Sequence, residues 1–433
     1  MNTPWAALLC KFSDDDSEPF ERAFSERLFT SAGSGSLNMV DYFADCSHGD
    51  AYVSGSQVFG WYTLDKKRSE YAGSGPNWQG RLDLVNWARQ AAADAGDDLS
   101  GFYGVVVCMN VATDVFGGSG QLAVCDLNSM QPSILGQEMG HGYGLSHSRI
   151  DGSTDDYQDP WDTMSTANAY SASHSEFQSV GPGLNAWNMR GQGWLDEARV
   201  WRGGESFDST LVLRPLHRRD LPGLLAAELP GGFLAEFRVQ ERWDAGIPRP
   251  AVLVHRFDEN RSYLMPGVGG TSDLTEGDKF ERGSQVIPWV GFTSLEVLDI
   301  DAGARTARLR VQHVPRQRQP HEFEGIFGQL IGGVGVDGGG IIVLPGGRVV
   351  PVPPWDPMIR ILEQIALYRE SANIGNAPLH ESVQRLALQR IAAESTKQLS
   401  RLQVFESPPL KFGEVHQHGE HEHGGHEHGH AAE

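Results

Sequence analysis

The sequence predicts an α+β fold: a mixed strand-and-helix part, then an all-β sandwich part, then a short helical extension. Three observations predict it. Through about residue 200, apolar runs of strand length alternate with stretches of helical spacing. From 205 to 315, short apolar or alternating runs recur between Gly, Pro and Asp, and no long amphipathic helix interrupts them. Beyond 356, helical spacing returns.

In chain order, Pro4 to Phe12 reads as a first strand. Leu84, Ala88, Ala91 and Ala95 share one face, so a helix is predicted from Leu82 to Ala95. Val105 to Met109 is continuously apolar and reads as a buried strand. Leu122 to Cys125, after a glycine-rich stretch, reads as an edge strand. Pro132 opens the next helix, because proline is well tolerated in a first turn. The β-rich part offers Thr210–Leu213, Leu224–Leu229, Phe233–Val239, Ala251–His255 and Ala307–Val311. The expected organisation is a first domain at 1–204, a β-sandwich module at 205–315, a Pro/Gly-rich linker at 316–356, a helical segment at 357–406 and a tail at 407–433. Within the linker, Ile331 to Val352 reads either as a hairpin or as a patch that docks elsewhere. Met358, Ile361, Ile365 and Tyr368 define the first late helix, and Pro378 to Phe405 the second. The tail is of low complexity, which predicts disorder.

Composition excludes several partners. Lys plus Arg is 35 against 56 for Asp plus Glu, a net charge of −21, so phosphate backbones and anionic membrane surfaces are repelled. No apolar run reaches the roughly 18 residues that would span a bilayer. Neither nucleic-acid binding nor membrane insertion is expected. Cys10, Cys46, Cys108 and Cys125 form no CxxC pair, so a thiolate zinc site is not indicated; buried thiols and one or two disulfides stay open. The start, Met1 to Phe12, lacks a basic segment and a long apolar core, so no signal peptide is read there.

The chemistry is concentrated between Gln137 and His147. On a helix, positions 137 and 141 lie four apart and project from one face. Glu138 is rotated one step away, where it reaches an activated water without occupying the metal. Gly144 lets the chain leave the helix in a left-handed turn, which swings His147 back toward His141. Three protein ligands and one open position are what a metal needs to acidify a water. Gln137, His141 and His147 are the ligands, and Glu138 is the general base.

This segment fits E-x-x-H-x-x-G-x-x-H, with Gln137 where histidine is usual, and it resembles the metzincin zinc peptidases, most closely the gametolysin family. Asp162-Thr163-Met164-Ser165 looks like that group's Met-turn, in which the methionine floors the metal site. Leu184 to Trp187 and Gly193-Trp194-Leu195 look like the family's later "N-A-…-G-W" stretch. Glu236-Phe237-Arg238, Trp243 to Arg249, Val252-Leu253-Val254 and Glu276-Gly277-Asp278 look like the module that follows the catalytic domain. The resemblance covers roughly 1–315. It implies a metzincin-like domain with a mixed twisted sheet and an active-site helix. It also implies a metal-dependent endopeptidase acting on a protein or peptide substrate, with zinc as cofactor. Gln137 is a weaker donor than imidazole, and copper is the alternative ion. Gly144 and Met164 are structural at the site, and Tyr170 is a candidate for contact with the metal or the transition state. Secretion is implied by the family, whereas the start of the sequence suggests a cytoplasmic location or a non-classical export route.

Outside the motif, His48, His174, His217, His255, His313, His321 and His380 are scattered without ligand spacing and read as surface or satisfied core residues; His174 also stands near enough to the Met-turn to be a replacement ligand. The acidic run from Asp155 to Asp159 reads as a solvated loop, with calcium binding as the alternative. His416, His418, His421, His423, His426, His428 and His430 alternate with acidic residues and glycine, a flexible chelator for zinc, nickel or copper. The competing function is a metal- or protein-binding pseudopeptidase, favoured by Gln137 and opposed by the retained Glu138. A metal-storage protein centred on the tail is a third.

Overall fold

The computed structural model describes residues 2–73, 79–118, 120–285 and 291–316, and the backbone of strands at 331–334, 340–343 and 349–352. The helical segment at 357–406, the tail with its seven histidines and most of the 316–356 linker lie outside the described residues. The fold is mixed α and β, with several sheets and few helices.

The first part is built on a five-stranded sheet in the order β2-β1-β3-β5-β4, formed by β1 (Trp5–Lys11), β2 (Gln57–Thr63), β3 (Gly104–Met109), β4 (Phe116–Gly118) and β5 (Leu122–Asp126). All neighbours run parallel except β4, which is antiparallel to β5. Both faces are covered, which is why β1 and β3 read as unbroken apolar runs rather than alternating ones. Ala6, Leu8, Val105 and Val107 face α3 (Gln79–Asp94) through its Leu84, Val85, Ala88 and Ala92. Trp5, Ala7, Leu9, Val106 and Cys108 face the opposite core with α1 (Arg22–Phe29), α2 (Met39–Cys46) and α4 (Pro132–Gly142). The expectation of Leu122–Cys125 as an edge strand is corrected: β5 is interior, flanked by β3 and β4, and the edge is the three-residue β4. A Phe-Gly-Gly strand carries no alternation to read.

All four cysteines are buried free thiols, with Cys108 and Cys125 paired across β3 and β5 at 3.5 Å between sulfurs.

The β-rich part holds two sheets. One has the order β10-β17-β16-β15, from β10 (Phe207–Leu213), β15 (Lys279–Gly283), β16 (Phe292–Asp301) and β17 (Thr306–Val314). The other has the order β6-β14-β13-β12-β11-β9, from β9 (Val200–Arg202), β11 (Ala226–Leu229), β12 (Phe233–Arg238), β13 (Ala251–Asp258) and β14 (Arg261–Leu264), with β6 (Arg149–Ile150) added from the first part. Leu213, Phe237, Val254, Leu295 and Leu309 fill the core between the sheets. The six-stranded sheet turns its other face, with Ala226 and Leu234, into the core of the first part. The small elements are the hairpin of β7 (Ala172–His174) and β8 (Gln178–Val180), the helix α5 (Ala186–Gly191), and an antiparallel sheet of β18 (Ile331–Val334), β19 (Gly340–Val343) and β20 (Val349–Val352).

Candidate metal centre

Helix α4 delivers the motif. Pro132 stands at its first turn, and its apolar residues Leu135 and Met139 anchor it in the core. The helix ends at Tyr143, whose ring stacks on Tyr103 at 4.9 Å and whose hydroxyl accepts from Trp5 Nε1 at 3.0 Å. Gly144 then takes φ +95°, the left-handed conformation that the turn needs and glycine supplies without strain. The reversal brings His147 against His141.

The two imidazoles meet through Nε2 at 2.9 Å. Each Nδ1 faces an obligate acceptor: the Leu145 carbonyl at 2.8 Å from His141, and Asp156 Oδ2 at 3.1 Å from His147. Both Nδ1 atoms therefore donate, and in neutral rings both Nε2 atoms carry lone pairs. Burial, with the neighbouring His147, lowers the His141 pKa to about 4. Two facing lone pairs at this distance require a proton or a cation between them. Nitrogens bound to one tetrahedral zinc ion stand roughly 3.3 Å apart, so a small opening of the pair would admit the ion. The donor set fits a divalent metal at these two positions.

Gln137 is placed differently. Its Oε1 accepts from the Thr166 N–H at 3.0 Å, and its Nε2 donates to Glu138 Oε1 at 3.1 Å. An amide oxygen has a second lone pair, so the side chain keeps one donor position while being held by the turn at Thr163–Asn168. Among the described residues no group of three or more His, Cys, Asp or Glu forms a metal cluster.

Glu138 is buried, and burial raises its carboxyl pKa to about 7 against opposing pulls from the Gln137 amide, the Arg81 charge and the Gly117 N–H. Strand β4 lies directly over it: a Cβ on Gly117 would stand 1.9 Å from the Glu138 carbonyl oxygen. On the other side of the helix, a Cβ on Gly140 would lie 2.8 Å from Met164 Sδ, so the methionine lies directly against the helix one residue before His141. Met164 is fully buried in a 3-10 turn at Thr163–Asn168. Asp162 caps that turn by accepting from the Met164 N–H at 2.8 Å, and it also accepts from Asn188 Nδ2 at 2.7 Å and from Asn185 Nδ2.

Tyr170 packs its ring on Trp161 at 5.5 Å, in the cluster with Ile247 and Leu253, and no described contact joins it to the histidine pair. Tyr157 is the aromatic ring at the centre, 4.0 Å from the His147 ring, at φ +63°. Its pKa is raised to about 12, first by burial and then by the Glu138 and Asp156 charges. His174 is stacked on Phe177, with Nδ1 accepting from the Glu176 and Phe177 N–H groups, so it serves its own hairpin. The acidic run is no solvated loop: Asp156 reaches His147, and Asp159 is wholly buried against His255 at 2.9 Å. Sequence reading missed Asp156 and Tyr157, whose only signal was proximity in the chain to His147.

No protein-family model and no curated protein matches the chain. A crystal structure of wild type OgpA from Akkermansia muciniphila aligns over 73% of this chain and 93% of that one, at 12% identity and a TM-score of 0.26. A likeness at that level carries no argument.

Proposed function

We propose that the chain is a metal-dependent endopeptidase with a metzincin-like first domain and zinc, or copper, as its ion. The observation that carries the reading is the His141–His147 pair, whose two Nε2 lone pairs face each other at the end of the helix that also carries Glu138. A divalent ion bound there supplies Lewis acidity toward a water and the scissile carbonyl. His141 and His147 hold it, with the second lone pair of Gln137 Oε1 as a weak third donor. Glu138 accepts the proton of the attacking water and passes it to the leaving amine. Met164 floors the site. Strand β4 ends the sheet order beside Glu138, and an extended peptide adding along it would carry its backbone past the carboxylate; this supports a protein or peptide substrate.

The test is casein hydrolysis by metal-stripped protein reconstituted with zinc or with copper, beside Glu138→Gln. Activity restored by one ion and lost in Glu138→Gln, with the ion retained, supports the peptidase. Verified occupancy without cleavage supports the pseudopeptidase, which the commitment of the Gln137 amide to Thr166 and Glu138 favours.

A further inference from the structure

Asp156 divides its carboxylate between the centre and the β-rich part. Oδ2 accepts from His147 Nδ1 at 3.1 Å, while Oδ1 accepts from Arg149 Nε at 2.7 Å and from Arg261 Nη1 at 2.8 Å. Arg261 opens β14, the return strand of a hairpin whose Asp258 pairs with Arg261 across Glu259 and Asn260. Both turn residues have positive φ, +48° and +62°, the geometry of a type I′ turn that fits the twist of a tight hairpin. The tip of this hairpin lies on the ligand loop. Arg261 Nη1 also donates to the His147 carbonyl at 3.4 Å, and Asn260 Nδ2 to Ser146 Oγ at 3.5 Å. Two residues past His147 the chain becomes β6, which pairs in parallel with β14 through Arg149–Tyr263 and Ile150–Leu264.

An imidazole presents Nε2 to a metal only when its proton sits on Nδ1, and the partner of Nδ1 fixes that tautomer and the ring's direction. His141 takes its Nδ1 partner from its own turn, the Leu145 carbonyl. His147 takes its partner from Asp156, whose other oxygen is held jointly by Arg149 of the first part and Arg261 of the β-rich part. We infer that Asp156 is a positioning residue of the metal centre and that Arg261 of the β-rich part holds it in place, so the second part of the chain completes the metal site. The inference rests on the metal-centre reading above, and its test separates the two.

Two readouts on the full chain decide it. Nitrogen-resolved imidazole spectra of the metal-stripped protein should give His147 as the Nδ1–H tautomer, reverting to Nε2–H in Asp156→Ala. Zinc dissociation constants by chelator competition should rise about 10–100-fold in Asp156→Asn and Arg261→Ala. His141→Ala reports the zinc held elsewhere in the chain, the histidine-rich tail included. Arg261→Lys, which keeps the charge and loses the fork, should fall between wild type and Arg261→Ala and covers the case in which the alanine variant fails to fold. A merely structural role would lower the melting temperature of the metal-free variants while tautomer and affinity stayed as in wild type, and that result overturns the inference. So does a wild-type His147 already in the Nε2–H form. Wild-type protein that binds zinc no more tightly than His141→Ala overturns the metal-centre reading, and the tautomer spectra then decide alone whether Asp156 sets the ring.

Discussion

Glu138 carries a cost that the rest of the protein offsets. Its carboxyl is raised from 4.5 to about 7, so the folded state holds a proton that the unfolded chain gives up. Stability from this group is therefore present below pH 4.5 and is lost as pH rises through 7, by about 3 kcal/mol. Metal-free Glu138→Gln is expected to be more stable than wild type at pH 8 by up to that amount, with the gap closing at pH 4. Urea denaturation at the two values checks it; equal stability at pH 8 would show that the carboxylate is solvated in the folded protein. At this scale the candidate site was legible where it is local. Gln137, Glu138, His141, Gly144 and His147 lie within eleven residues, and helical periodicity plus one glycine turn arranges them. Asp156 and Tyr157 were illegible as site residues because nothing in an acidic loop says which carboxylate meets an imidazole. Arg261 lies 114 residues beyond His147, and only the sheet brings it back.

Helix α4 is the element that turns spacing into a site, and it is clamped on two sides. Strand β4 lies on one side at Gly117 and the turn carrying Met164 on the other at Gly140. At Gly117 the obstacle to any side chain is the backbone of Glu138 itself, so the strand must move rather than a rotamer. Gly117→Ala is expected to destabilise the protein by about 3 kcal/mol, the upper part of the usual overpacking range, and to lower kcat because Glu138 moves with the helix. Denaturation and steady-state kinetics on the same preparation check both; a fully active, fully stable variant would mean that β4 yields freely. Proline at the helix start and the apolar run of β3 made those elements readable in advance. Strand β4 escaped because its glycines leave no pattern, and its role as an edge exists only once β5 has found its partners.

On the scale of the whole molecule, the two parts of the chain share charge as well as core. Arg238 is fully buried, with Glu236 Oε1 at 2.9 Å and Asp244 Oδ1 at 2.6 Å, and its Nη2 donates to the Trp161 and Gly183 carbonyls at 2.9 and 3.1 Å. Burial alone would lower the His255 pKa, but the Asp159 and Glu236 charges raise it. His48, at the end of α2, closes the same seam as a neutral ring: Nε2 donates to the Leu216 carbonyl at 2.9 Å and Nδ1 accepts from the Asp196 N–H at 3.2 Å. Burial lowers its pKa from 6.5 to about 4. Between those values the unfolded chain binds a proton that folded His48 refuses, so its contribution is intact above pH 6.5 and is lost as pH falls to 4, by about 3 kcal/mol. The expected observation is a pH-dependent gap between wild type and His48→Gln over that window, measured by urea denaturation. A gap constant with pH would show that His48 titrates normally.

The sequence by itself determined the mixed α and β class, the motif helix and its turn, and the burial of β1 and β3, because each depends on contacts a few residues apart or on unbroken apolar runs. Tertiary structure decided which strand is the edge, that β6 and β9 join the second sheet, that Gln137 is held by Thr166, and that Asp156 and Arg261 stand behind His147. Those depend on pairings between distant segments, and the free energy of such pairings resides in burial and charge that no local pattern encodes.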